Sequence, residues 1–308
     1  MEREGSTTHV EGARQMGKSS LVARMLAAVR SRQYTVVDFD FQGFDEQSLG
    51  SLETLLRSLA EAIHERLQLA TNPDALWQGR LGVKDKLSSY LREYVLREST
   101  VPVVMVMDEV DRVFGRGYEN DFFGLLRFWH NERARDPLWR KLHLVLAWST
   151  DPRQMLKDPG QSPFNVGTKI QLIDFSFAEV QELNALYGRP LKRKEQLQRL
   201  FAIIGGHPYL TQRALYALAT RTHTLSSIVN METAQSGLFA DHLEHHRAQL
   251  VLAPELHHAM QQVIRNDTCP THDVFVRLRA LGLVTGRTHQ AVSPRCTLYT
   301  VYFRGVLS

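Results

Sequence analysis

Eight consecutive residues, Gly12-Ala-Arg-Gln-Met-Gly17-Lys18-Ser19, fit the pattern G-x-x-x-x-G-K-[ST] in full. Each fixed position has a chemical use. The glycines let backbone N–H groups turn inward around phosphate oxygens, and a helix opening behind the loop directs its positive end at them. Lys18 can neutralise the β- and γ-phosphates of a nucleotide, and the Ser19 hydroxyl can ligate magnesium. Arg14, Gln15 and Met16 line the loop and Ser20 follows it, so the expected ligands of this segment are ATP or ADP with Mg2+.

A second constellation ends the most apolar run of the chain, VPVVMVMDEVD, Val101 to Asp111. Asp108 there can hold magnesium through water, and Glu109 beside it can orient or deprotonate an attacking water. A polar strand end with a helix cap would look the same in isolation; a matching phosphate loop upstream favours catalysis. Ser149 and Thr150 end the run LVLAWST, where a polar side chain either senses the γ-phosphate or caps the strand. Arg127, Arg133 and Arg135 read as a solvated basic face more readily than as an arginine finger acting in trans.

These residues need a scaffold, and the pattern supplies one. Thr7 to Glu11 leads into the loop and Ser19 to Ser31 follows as a helix. Tyr34 to Phe41, Val101 to Asp111, Leu142 to Ala147 and Lys169 to Leu172 read as strands. Helical periodicity runs from about Glu46 to Leu69, from Val83 to Leu96 and from Asn120 to Ala134. Strands alternating with helices predict an α/β domain with a five-stranded parallel sheet over residues 1–175. Residues 176–250 read as helices only, a separate helical unit. Residues 251–308 read as two helices, Glu255 to Arg265 and Thr271 to Leu281, and then a hairpin carrying Gly286, the order of a winged helix.

The 308 residues carry 37 basic and 33 acidic side chains, too even a balance to mark a dedicated nucleic-acid binder. No apolar run reaches the roughly 18 residues of a membrane span, and the polar start MEREGSTTHVEG is no signal peptide. The two cysteines, Cys269 and Cys296, form neither a disulfide framework nor a C-x-x-C pair, and a cytoplasmic location is expected. His242, His245 and His246, with His257 and His258, read as a solvated helix, since no complete metal-ligand set surrounds them. Arg277, Arg279, Arg287 and Arg295 lie in or near the winged helix. They admit DNA binding, but the apolar Val274, Phe275, Val276, Leu278 and Leu281 favour packing within the protein.

The loop GARQMGKSSL, the DEVD strand end, SPFNVG (Ser162 to Gly167), GGHPYL (Gly205 to Leu210) and the closing PRCTLYTVYFR together resemble the bacterial AAA-like domain family. That family is grouped with STAND-type signalling ATPases, relatives of NB-ARC and NACHT switches and of archaeal GxRxxGK ATPases. The resemblance spans about Gly12 to Leu307. It implies an ATPase core of the ASCE/AAA-like kind, a helical lid and a winged helix, fused to or acting on separate signalling or effector domains. In the related switches a G-x-P motif of the lid sets its proline against the nucleotide. The resemblance therefore implies that Pro208 contacts nucleotide and that His207 reaches the phosphates, where the residues alone read as a helix stop and restart.

The function implied is a slowly hydrolysing regulatory switch in bacterial signalling or conflict systems, with nucleotide-dependent homo-oligomerisation. The alternatives are a DNA-binding ATPase of initiator or loader type and a nucleotide-binding scaffold without turnover. Only eleven residues precede Gly12, and Ser6-Thr7-Thr8-His9-Val10 makes a poor buried strand. On that ground the chain reads as a fragment, a shortened product or an engineered start.

Overall fold

The computed structural model describes residues 5–149, 165–230 and 236–307, which divide into two compact units. The first comprises Met1–Glu11 and Lys18–Gln171, the second Gly12–Gly17 and Leu172–Ser308.

The first unit is organised by β3, Val103–Asp108, whose five leading side chains are all buried. Such a run suits an interior strand, and β3 lies between β2, Thr35–Asp40, and β4, Leu142–Trp148. The sheet order is β2-β3-β4-β1-β5, parallel throughout, with β1 at Thr7–Glu11 and β5 at Thr168–Gln171. Parallel neighbours require crossovers, and the intervening helices supply them: α1 (Lys18–Ser31), α2 (Leu52–Leu67), the short α3 (Asp74–Trp77), α4 (Val83–Tyr90) and α5 (Glu119–Glu132). The stripe Leu55, Leu56, Leu59 and Ile63 of α2 is buried as its spacing predicts. The helix starts later than the periodicity suggested, because Ser51 and Thr54 form a capping box that stops it there. The segment read as one helix to Leu96 changes to a π-helical turn at Leu91–Leu96.

The expectation of a poor strand at Thr7 to Val10 is overturned. All four side chains are buried, and β1 pairs with both β4 and β5. Distant parts of the chain supply polar partners: Thr7 Oγ1 hydrogen bonds with His130 Nδ1 at 3.0 Å, and His9 Nε2 with the Val166 carbonyl at 2.7 Å. Burial of such a strand costs little once its polar atoms have partners.

The second unit is mainly helical: α6 (Phe177–Leu186), α7 (Lys194–Ile204), α8 (Pro208–Ala219), α9 (Leu225–Val229), α10 (Ala240–Val251), α11 (Pro254–Asn266) and α12 (His272–Ala280). An antiparallel hairpin follows, β6 (Val284–Thr288) and β7 (Ala291–Pro294), and then α13 (Thr297–Val306). The sequence reading places no helix after the hairpin, but Leu298, Tyr299, Tyr302 and Phe303 are buried at helical spacing and form one face of α13.

The pair Gly205-Gly206 between α7 and α8 has a steric cause. Gly206 has φ 75°, its carbonyl accepts the Phe175 amide at 2.9 Å, and a Cβ there would lie 2.0 Å from the Phe175 carbonyl oxygen. No side chain fits that crossing. Pro208 then occupies the first turn of α8, where its missing N–H costs nothing.

Candidate functional site

The candidate catalytic residues of the first unit converge. β3 delivers Asp108 at its C-terminal end, and α1 opens with Lys18 and Ser19. The Ser19 hydroxyl donates to Asp108 Oδ2 at 2.9 Å. The other carboxylate oxygen, Oδ1, accepts the Glu109 amide at 2.9 Å. Glu109 leaves the strand with φ 53°, a left-handed conformation uncommon outside glycine, and this turn brings its carboxylate to 3.9 Å from Lys18 Nζ. Lys18 is 4% exposed, and its ammonium also donates to Ser149 Oγ at 2.7 Å, just past the end of β4. The Ser149 amide donates to Asp111 Oδ2 at 3.1 Å. Lys18, Ser19, Asp108, Glu109 and Ser149 thus form one connected polar group. Ser20 is exposed in the same turn, and Thr150 lies outside the described residues. Asp111 was not singled out from sequence; its position at the end of DEVD was the available signal.

The residues fit a magnesium ion bound together with phosphate. Ser19 Oγ and the Asp108 carboxylate are hard oxygen donors, and Mg2+ ordinarily takes one or two carboxylates and completes its shell with water and phosphate. Among the described residues no group of three or more His, Cys, Asp and Glu gathers as a metal site on protein ligands alone.

The segment Gly12–Gly17 belongs to the second unit. Gly12 and Met16 are buried, Arg14, Gln15 and Gly17 are exposed, and Gln15 takes φ 63°. Two contacts fasten this segment. The Arg14 amide donates to the Ala280 carbonyl at 3.0 Å, at the end of α12. Arg295, just after β7, donates through Nε to Asp174 Oδ2 at 3.1 Å and through Nη2 to Met16 Sδ. The Arg295–Asp174–Met16 cluster joins sequence positions too distant for any local pattern to reveal, and it places Arg295 in packing within the unit. Arg277 is engaged by Glu255 at 3.2 Å and Asp273 at 3.9 Å, and Arg279 lies over the Phe275 ring.

Three expectations are corrected. His207 was expected to reach phosphates, yet it is 1% exposed and its Nε2 hydrogen bonds with the Tyr299 hydroxyl at 3.3 Å. His242 and His246 do not lie on a solvated face: they are 4% and 3% exposed, and the Tyr299 hydroxyl also hydrogen bonds with His242 Nε2 at 2.6 Å. Burial holds all three imidazoles neutral, His242 at about 3, His246 at about 4 and His207 well below its ordinary value. Arg133 is neither a finger nor solvated. It is buried and donates to the Ser6 and Leu142 carbonyls, while Arg135 pairs with Glu132 at 3.2 Å.

A five-stranded parallel sheet, with a lysine and a serine opening α1 beside an aspartate that ends β3, defines the α/β fold of P-loop ATPases. The chain belongs to the AAA-like domain family, which it matches over residues 1–305. It is 28% identical over 224 residues, 70% of its length, to an uncharacterized WD repeat-containing protein of Synechocystis sp., and spans only 19% of that relative. Among solved structures it resembles the Walker-type ATPase PABY2304 of Pyrococcus abyssi, at TM-score 0.61 and 15% identity, covering 97% of this chain and 91% of that one. It also resembles Cdc6p from Pyrobaculum aerophilum, at TM-score 0.51 and 14% identity, covering 98% and 88%. At such identities the likeness is one of fold. Among the described residues no helix is long and apolar enough to cross a membrane.

Proposed function

We propose that this chain is an ATP-binding, slowly hydrolysing regulatory switch of the STAND type. The observation that carries the catalytic part is the junction of Ser19 with Asp108 and of Lys18 with Glu109 and Ser149. Lys18 would neutralise the β- and γ-phosphates, and Ser149 would sense the γ-phosphate. Ser19 and Asp108 would hold Mg2+, which when bound neutralises charge on the phosphate oxygens. Glu109 takes the proton of a water whose oxygen forms the new bond to the γ-phosphorus. The bond to the β-phosphate oxygen breaks, leaving ADP and inorganic phosphate.

The regulatory part rests on the attachment of Gly12–Gly17 within the second unit. A nucleotide that reshapes the loop must strain or relax the bonds of Arg14 to Ala280 and of Arg295 to Met16. ATP and ADP can then favour different states of α12 and the hairpin, to the extent that they bind those states unequally. We assign residues 1–175 to an ATPase core, 176–250 to a lid with Pro208 as a nucleotide contact, and 251–308 to a winged helix. The WD repeats in the name of the Synechocystis relative support fused or separate effector partners, with nucleotide-dependent self-assembly as the relay. Arg277 is engaged by Glu255 and Asp273, so its charge is matched within the protein and gives the initiator-type reading no support.

Nucleotide titration of the parent and Lys18→Ala, each with and without magnesium, tests this reading. Loss of at least tenfold in ATP affinity is expected for the variant, the scale of removing one charge-assisted contact of about 1.5–3 kcal/mol. Equal binding by the two proteins would remove the basis of the proposal.

A further inference from the structure

At the end of the sheet where the strands begin, away from Asp108 and Ser149, the first unit concentrates positive charge that the nucleotide chemistry does not use. Arg133 follows α5 directly and is 8% exposed. Its guanidinium is held by neutral acceptors: Thr7 Oγ1 at 2.9 Å, the Ser6 carbonyl at 3.1 Å and the Leu142 carbonyl at 3.0 Å. Nη1 also hydrogen bonds with His130 Nδ1 at 2.8 Å, and burial keeps that imidazole neutral at physiological pH. No carboxylate offsets the charge among the described residues, and burial alone draws the Arg133 pKa down to about 10. A buried guanidinium without a counter-ion is costly and uncommon.

Two details bear on this charge. Arg133 Nε is buried and makes no hydrogen bond. It is covered by Gly5, φ 62°, where a Cβ would lie 3.0 Å from Nε and 3.0 Å from Arg140 Cα. Glycine there lets the backbone lie directly against the Arg133 side chain and the Arg140 backbone. Arg140 donates its Nε to the Arg133 carbonyl at 3.0 Å, and its terminal nitrogens make no other bond among the described residues. Gly5, His130, Asn131, Arg133, Arg135 and Arg140 line an open cleft of about 630 Å3.

The charge balance selects the ligand. Arg135 is matched by Glu132, and among the described residues no carboxylate pairs with Arg133 or Arg140. A phosphate monoester carries about −1.5 to −2 near neutral pH and offers oxygens that suit a forked guanidinium, whereas one carboxylate would leave a buried positive charge. A purely structural role accounts for the bonds of Arg133 to β1 and β4. It does not account for the idle fork of Arg140 over the same cleft. We propose that this cleft is a phosphate-binding site, in which the Arg140 fork grips a phosphoryl group and Arg133 supplies the buried charge.

Calorimetric titration of the full chain with inorganic phosphate tests the site. The experiment is done in a Lys18→Ala background, so that phosphate entering the Gly12–Ser19 loop does not contribute. Saturable binding is expected, weakened at least tenfold by Arg140→Ala and less by Arg140→Lys, which keeps the charge and loses the fork. Glu132→Gln, which releases Arg135, is expected to tighten binding. Arg140 is exposed, so its variants should unfold at the parent temperature. Glycerol phosphate titrated in parallel separates a phosphate ester from the free ion as the ligand. Absence of saturable phosphate binding, or equal binding by the Arg140→Ala variant, would overturn the proposal, and neither result depends on whether ATP binds elsewhere.

Discussion

Ser19 Oγ donates to Asp108 Oδ2 at 2.9 Å, joining the first turn of α1 to the end of β3 across 89 residues of sequence. The bond is exposed, so its contribution to stability is small, and its significance is chemical: it pre-positions two oxygen donors for one cation. Ser19→Ala should therefore weaken ATP binding about tenfold to a hundredfold in the presence of magnesium, the range for losing a contact to a charged group. Binding measured with a chelator present should barely change. Equal losses in both conditions would mean that Ser19 acts on the loop and not on the metal.

Glu109 sits 3.9 Å from Lys18 Nζ with its backbone in the left-handed region. Strain of this kind is retained where the surrounding structure enforces it. Glu109→Gln keeps the shape and removes the base, so ATP affinity should hold while the rate of phosphate release falls by about a hundredfold or more, the usual contribution of a general base. A variant that hydrolyses ATP at the parental rate would rule Glu109 out as the base.

The candidate site was more legible in the sequence than the packing around it. The G-x-x-x-x-G-K-[ST] segment and the DE pair are short local patterns whose chemistry demands those residue types, and β3 announces itself as an apolar run, as does β4 apart from His143. What escaped was polar burial. Thr7, Thr8 and His9 look unsuited to an interior strand until the partners from residues 130 and 166 are known. His242 and His246 look like surface residues, and His207 like a phosphate contact, until Tyr299 arrives from α13. Each partner is supplied by the tertiary fold, and residue type gives no hint of it. In α13 two signals competed, since β-branched and aromatic residues argued for strand while the spacing of Leu298, Tyr299, Tyr302 and Phe303 argued for helix. Spacing prevailed because one face could be buried.

Those same histidines make stability depend on pH in a defined direction. In the folded chain His242 titrates at about 3 and His246 and His143 at about 4, with His207 also well below its ordinary value, all chiefly because burial disfavours the charged ring. Unfolded imidazoles titrate at about 6.5, so the native state binds fewer protons than the unfolded state below that value. Their contribution is fully present above about pH 6.5 and is lost as the pH falls toward 4 and 3, by at most about 1.4 kcal/mol per pH unit for each group. Most carboxylates remain ionised between about pH 6.5 and 5, so that interval isolates the histidines. Denaturant midpoints should be flat from pH 8 to 7 and fall through this interval, and His246→Leu should make the fall shallower. Tyr299→Phe tests the shared hydroxyl, which hydrogen bonds with His242 at 2.6 Å and with His207 at 3.3 Å. Its loss leaves buried ring nitrogens unsatisfied and should cost about 1–3 kcal/mol even at pH 7.5. A midpoint constant from pH 7.5 to 5 would show that these rings are not held neutral by burial.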